Sequence, residues 1–303
     1  MIDLHLHTNY SDGTDSVKEL LINANKNNLD VISITDHDSI DAYKELENKE
    51  LRNLYSGKIL IGVELKVYYN GIPMEVLGYG IDYKKIKINK VDVYKIQVNA
   101  LEELKERAKK LNLIYDDSIA ISKIDPRRKY ASYVLAEEIL KHEENKEILL
   151  SIGPEFDANS FYRVHISNKN SVFYYDESKY GISLEEAIES IHNAGGLAFL
   201  AHPLIYPFDG ENKLNAIEIL LKDYKLDGIE CEYPLFNTKE RKELRTLALK
   251  YNKYISGGTD YHAKNKPNIK MGTGIDNNIF IDNNNEYIKE WLDSIYTIWV
   301  NYC

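Results

Sequence analysis

The chain has 303 residues, 44% of them apolar, enough for one large domain or two medium ones with a sizeable core. No apolar run approaches a bilayer span, and the N-terminus lacks a basic region followed by an apolar stretch, so no membrane association and a cytoplasmic location are expected. Two distant cysteines imply no disulfide framework, and 38 basic against 48 acidic residues give a net charge of −10, which does not attract a long nucleic acid but permits a local site for a small phosphorylated substrate.

At the N-terminus Ile2, Leu4 and Leu6 alternate with Asp3, His5 and His7, the period of a two-faced strand. His5 and His7 then project from one face, one pleat apart, where two imidazoles can share a cation. Asp12 follows in a Ser-Asp-Gly turn that can bring a carboxylate back to the same point. A lone His-x-His fits two ordinary strand residues equally well, so the rest of the chain decides. Ser16-Val17-Lys18-Glu19 has the spacing of a capping box, and Val17, Leu20, Leu21 and Ala24 make one helical face ending at Asn27-Asn28. A short strand over 31–35 delivers Asp36, His37 and Asp38. A helix over about 40–55 leads to a strand over 59–63 that ends at Glu64. Segments 66–69 and 74–79 around Asn70-Gly71 read as a hairpin, with Glu75 on its second strand.

Strand and helix alternate up to this point, which argues for a parallel sheet with crossover helices. From 85 to 180 the rhythm changes to helices, over about 96–111, from Asp125-Pro126 to about 140, and around 147–150. This block reads as a helical insertion of about the smallest domain size. The earlier rhythm then returns. Ser183-Leu184-Glu185-Glu186 is another capping box, and the helix it opens stops at Gly195-Gly196. Strands over 197–201, 228–231 and 254–256 follow, the first ending in His202-Pro203 and the last opening into Asp260-Tyr261-His262. A final helix over about 286–300 carries Ile288, Trp291, Leu292 and Ile295 on one side.

His5, His7, His37, Glu64, His202, Asp260 and His262 all fall at or just past the C-terminal ends of predicted strands, with Asp12 in the turn after the first. In a barrel of parallel strands that rim is where active sites are built. A purely nitrogen and oxygen donor set suits zinc, manganese or iron(II). His142, His165 and His192 lie elsewhere, and a solvated or locally bonded imidazole explains each. Clustered cations make hydroxide available near neutral pH and clamp an in-line displacement, both of which metal-hydroxide attack on a phosphate ester would need. The run Asp125-Pro126-Arg127-Arg128-Lys129 opens a helix, where free N–H groups and guanidinium forks favour a phosphate, and a solvated basic turn explains it equally well. Asp38 and His202 are the candidate proton donors, with solvent as an equal alternative.

The motifs Asp-Leu-His-Leu-His-Thr, Ser-Asp-Gly, Thr-Asp-His-Asp, Gly-Val-Glu, Leu-Gly-Tyr, Ala-His-Pro and Gly-Thr-Asp-Tyr-His resemble, in order and spacing, the PHP (polymerase and histidinol phosphatase) family. Within it the likeness is to stand-alone phosphoesterases related to nucleoside 3′,5′-bisphosphate phosphatase. The resemblance implies a distorted (β/α)7 TIM-like barrel over 1–84 and 181–303, with the mainly helical 85–180 capping the active site. It implies two or three divalent ions (Mn, Fe or Zn). His5, His7, Glu64 and Asp260 would bind one, and Asp12, His37 and His262 another. Glu64 would bridge to a third with His202. The family usually places a histidine where this chain has Glu75, which leaves that third site with a carboxylate or empty. The resemblance also puts an arginine of the insertion over the site, best matched by Arg128. The expected activity is hydrolysis of a phosphomonoester on a small nucleotide, a 3′,5′-bisphosphate or a short oligoribonucleotide end. The alternatives are a histidinol-phosphate phosphatase, an amidohydrolase, which would lack Ser-Asp-Gly and Thr-Asp-His-Asp, or a non-catalytic metal-binding relic.

Overall fold

The computed structural model describes residues 1–88, 93–116, 118, 123–124, 131–153, 158, 161–166, 168–176, 178, 181–208 and 213–299. The chain divides into two compact units, Met1–Val67 with Met74–Asn89 and Ile182–Cys303, and Tyr68–Pro73 with Lys90–Gly181.

In the first unit β1 (Ile2–Leu6) is buried on both faces, as expected of a strand inside a parallel sheet. Helix α1 (Val17–Lys26) begins at a reciprocal capping box between Ser16 and Glu19 and buries Val17, Leu20, Leu21 and Ala24. Strand β2 (Val31–Ile34) pairs parallel with β1, and β3 (Lys58–Tyr69) pairs parallel with β2. The stretch between β2 and β3 is two short helices, α2 (Asp41–Glu45) and α3 (Lys49–Arg52), and not the single helix the sequence suggests. Asn48 accounts for the break, because its side chain accepts from the Glu50 N–H and so starts a new helix. Likewise 59–63 and 66–69 are one strand, β3, which runs straight through Glu64.

Asn70 and Gly71 both have positive φ, 50° and 77°, and turn the chain into β4 (Ile72–Tyr79). The two-residue β5 (Ile182–Ser183) lies against β3. Helix α7 (Leu184–Asn193) opens at the second expected capping box, Ser183 with Glu186, and leads to β6 (Leu197–Leu200), which is antiparallel to β4. Strands β7 (Gly228–Glu232) and β8 (Tyr254–Gly257) continue parallel to β6. Helix α8 (Lys213–Asp223), which the sequence reading left out, and α9 (Thr238–Lys250) make the crossovers.

The strand order is β1-β2-β3-β4-β6-β7-β8. Its two ends meet where the His7 N–H donates to the Tyr261 carbonyl at 3.0 Å and the Tyr261 N–H to the His5 carbonyl at 3.3 Å. The sheet is therefore curled and mostly parallel, the distorted TIM-like barrel of an α/β protein, with β4 as the reversed strand. Helix α10 (Glu286–Trp299) covers one side of this unit with Ile288, Trp291, Leu292 and Ile295 packed among Ile2, Leu4, Tyr79 and Phe199. The Trp291 ring stacks on Tyr79 at 5.3 Å, and its indole N–H donates to the Ile255 carbonyl at 2.8 Å.

The second unit is mainly helical, with α4 (Val93–Lys110), α5 (Ala131–Leu140) and α6 (Lys146–Ile152). Leu101, Leu104, Val134, Leu135, Ile139, Phe161 and Phe173 form its separate core. Buried Asn145 ties it together, donating to the Ile114 and Ile139 carbonyls at 2.7 and 2.8 Å and accepting from the Ile114 N–H at 2.8 Å.

Candidate metal centre

Strand period does bring His5 and His7 to one face, with both side chains wholly buried. Each neighbouring turn is fixed by a carboxylate that serves only as an anchor. Asp3 accepts from the Thr259 N–H and hydroxyl at 2.9 and 2.6 Å, which sets the segment after β8 against β1. Asp36 accepts from the Thr8 N–H, the Thr8 hydroxyl and the Ser11 hydroxyl at 2.6–2.7 Å, which holds the turn carrying Asp12. Gly13 in that turn is required, since a Cβ there would lie 2.4 Å from the His7 carbonyl oxygen.

Glu64 projects into the middle. Its Oε2 lies 3.2 Å from His5 Nε2, His7 Nε2 and His37 Nδ1, and its Oε1 lies 3.1 Å from His202 Nε2. Asp12 reaches His262 Nε2 at 2.9 Å and lies 3.6 and 3.8 Å from His7 and His37. Asp260 Oδ1 sits 3.3–3.6 Å from His5, His7 and His262. Glu75 Oε2 is 3.5 Å from His202 Nε2. Nine residues named from the sequence (His5, His7, Asp12, His37, Glu64, Glu75, His202, Asp260 and His262) thus gather in one place.

Asp38 stands at the edge of the group, where its side chain accepts from the Lys66 N–H at 3.2 Å and burial pushes its carboxyl up to about 6. Arg127 and Arg128 lie outside the described residues. Of the remaining histidines, His192 meets Asp227 at 2.7 Å and His165 meets Ser171 at 3.3 Å.

Charge in this space is closely compensated. Burial works against ionisation of Glu64, but the imidazoles of His37 and His5 outweigh it, so its carboxyl stays well below the usual range. Burial also opposes charge on His7, yet hydrogen bonds to Asp260 and Glu64 raise it to about 9. Burial and the neighbouring His7 push His262 the other way, to about 4. Three residues here hold left-handed backbone without being glycine, Asp38 (φ 46°), His202 (φ 23°) and Asp260 (φ 54°). Such conformations cost about 1–3 kcal/mol each and cluster at working sites.

The donor atoms fit divalent cations. Those of His7, Asp12, His37 and His262 lie within 4.8 Å of one another, as do those of three overlapping groups: His5, Glu64 and His202; His5, His7 and Asp260; and His37, Glu64 and Glu75. His7 Nε2, Asp12 Oδ1 and His262 Nε2 are buried and meet only other members of the group, at 2.9–3.6 Å, so a cation could take all three without costing them a partner elsewhere.

Sequence reasoning missed four supports of this centre. Glu230 Oε1 bonds His5 Nδ1 at 2.9 Å and its Oε2 accepts from the His202 backbone N–H at 2.9 Å, so one carboxylate orients the His5 imidazole and pins the backbone that carries His202. Its signal was an acid in the middle of a strand, two residues before Glu232 at the strand end. Tyr206 meets His202 Nδ1 at 3.2 Å, and Tyr233 and Lys266 both contact Asp260. Nothing local in the sequence points to these three.

A curled α/β barrel with imidazoles and carboxylates converging beyond its strands is the architecture of a metal-dependent hydrolase. The family model of the PHP domain matches residues 3–258, and the chain belongs to that family. A 5′-3′ exoribonuclease of Haemophilus influenzae is 26% identical, covering 86% of this chain and 89% of its own length. A 3′,5′-nucleoside bisphosphate phosphatase of Chromobacterium violaceum is 24% identical, with 89% and 90% covered. A solved candidate metal-dependent phosphoesterase from Bifidobacterium adolescentis shares the fold, with a TM-score of 0.61 and 21% identity over 98% of this chain and 96% of that one. The chain is a hydrolase of phosphate esters.

Proposed function

We propose that this chain removes a phosphate from a small nucleotide, a 3′,5′-bisphosphate or the end of a short oligoribonucleotide. The observation that carries the chemistry is Glu64, whose two buried oxygens face four imidazoles. The exoribonuclease and the bisphosphate phosphatase, each aligned over most of this chain, support the nucleotide as substrate.

In this reading His5, His7, Glu64 and Asp260 hold one divalent ion, and Asp12, His37 and His262 a second. Glu64, His202 and Glu75 hold a third. Glu75 supplies an oxygen where the family pattern has an imidazole, and its approach to His202 at 3.5 Å supports a ligand role. Ions bound there supply Lewis acidity to a phosphoryl oxygen and ready ionisation of water. The protein contributes alignment: Glu230 fixes His5 and His202, and Asp36 fixes the Asp12 turn.

Asp38 is the better proton donor to the leaving oxygen. His202 already faces Glu64 and Glu75 through Nε2 and Tyr206 through Nδ1, which leaves it no free edge. Arg127 and Arg128 are proposed as the phosphate-binding pair on the strength of the basic run at 127–129.

The test is a panel of adenosine 3′,5′-bisphosphate, a 5′-phosphorylated oligoribonucleotide and histidinol phosphate, each with Mn²⁺. Higher kcat/KM on either nucleotide is expected, and a preference for histidinol phosphate would overturn the proposal.

A further inference from the structure

The two oxygens of Asp260 have different surroundings. Oδ1 faces the imidazoles, 3.3 Å from His262 Nδ1, 3.4 Å from His7 Nε2 and 3.6 Å from His5 Nε2. Oδ2 accepts from the Tyr233 hydroxyl at 2.8 Å and from Lys266 Nζ at 2.5 Å. A carboxylate can offer a cation one oxygen or both. Here the second oxygen already carries two donors.

Both donors are firmly placed. Tyr233 is 3% exposed, with its ring 5.2 Å from His202 and 5.0 Å from Phe236. Lys266 ends a short turn that starts at His262, and its N–H donates to the Ala263 carbonyl at 3.3 Å. That turn is tied back to the start of the chain, where the Lys264 N–H donates to the Thr14 hydroxyl at 3.0 Å and the Asn265 side chain to the Asp12 carbonyl at 2.5 Å. One loop therefore carries His262, holds the Asp12 turn and delivers an ammonium to the outer edge of Asp260.

We propose that Lys266, assisted by Tyr233, is a positioning residue that restricts Asp260 to one-oxygen ligation and weakens the hold of the His5–His7–Asp260 group on its cation. The proposal rests on the metal-centre reading above and refines it. An ammonium against Oδ2 draws charge from the carboxylate and repels a divalent ion beside Oδ1. It also offsets part of the negative field that Asp12, Glu64 and Glu75 present to an incoming phosphate. A lysine that only braced the loop would have the opposite effect on removal, because a loosened Asp260 binds a cation less well. The sign of the change separates the two roles.

The experiment is a stepwise Co²⁺ titration of the full chain, followed by visible absorbance, for wild-type, Lys266→Met, Lys266→Arg and Tyr233→Phe. In Lys266→Met one equivalent should bind at least about tenfold more tightly, since a repelling charge is gone. Its d–d band should weaken per ion as the freed oxygen raises the coordination number. Tyr233→Phe should shift both readings the same way by less, and Lys266→Arg should return them to wild-type. Tyr233→Phe keeps the ring in place and carries the test should Lys266→Met fail to fold. Cobalt bound no more tightly by Lys266→Met and Tyr233→Phe than by wild-type overturns the proposal. Wild-type protein that takes up no cobalt overturns the metal-centre reading itself, and this refinement with it.

Discussion

A carboxylate taken out of water needs positive charge or several donors around it. Glu64 has no exposed surface and meets this need with His5, His7, His37 and His202 at 3.1–3.2 Å. Glu230 does the equivalent work one layer out, so Glu230→Gln should keep hydrogen bonds to both partners while losing the charge that fixes the His5 tautomer. Losses at such a position run to about 10–100-fold in cation affinity or activity. Equilibrium dialysis against Mn²⁺ and kcat should both show that loss, with thermal stability little changed. Wild-type affinity would mean that Glu230 merely fills space. Residues such as His5 and His7 were legible because a strand's period alone sets their common face. Lys266 was not, because it arrives through a loop whose course depends on contacts with Thr14 and Asp12, some 250 residues away in sequence.

At the scale of elements, caps and apolar periodicity told most of the truth. Both Ser-x-x-Glu boxes open real helices, α1 and α7, and the expected face of α10 is the buried one. Errors arose where a side chain acts against its local pattern. Asn48 splits one expected helix into α2 and α3. Glu64 looked like a strand end because a charge in mid-strand is rare, yet β3 continues through it to serve the site. Helix α8 buries only Ile217, Leu220 and Leu221 and exposes Ile219 to solvent, which blurs its period. The packing of α10 gives a direct stability test. Trp291→Ala removes a ring wedged against Tyr79 and Phe199 and the indole donor to the Ile255 carbonyl, at a cost of about 3–5 kcal/mol. Urea unfolding should show a lower midpoint, and an unchanged midpoint would contradict the packing described.

At the scale of the whole molecule, the curled sheet gathers ligands from segments as far apart as His5 and His262. Cations bound at such a centre favour the folded state over the unfolded one, by about 2.7 kcal/mol for an ion at a hundred times its Kd. Thermal unfolding of chelator-treated protein should therefore move upward when Mn²⁺ is added, and the rise should shrink in Glu64→Gln. A midpoint indifferent to Mn²⁺ would count against a cation centre in the first unit.

The central claim, that these imidazoles and carboxylates act together on phosphate esters through bound divalent ions, is tested most directly by phosphate release from adenosine 3′,5′-bisphosphate before and after metal is restored to stripped protein. The account predicts release at the buffer rate from the stripped protein, recovery with Mn²⁺, and no recovery in Glu64→Gln. Equal release with and without metal, or full recovery in Glu64→Gln, would contradict it.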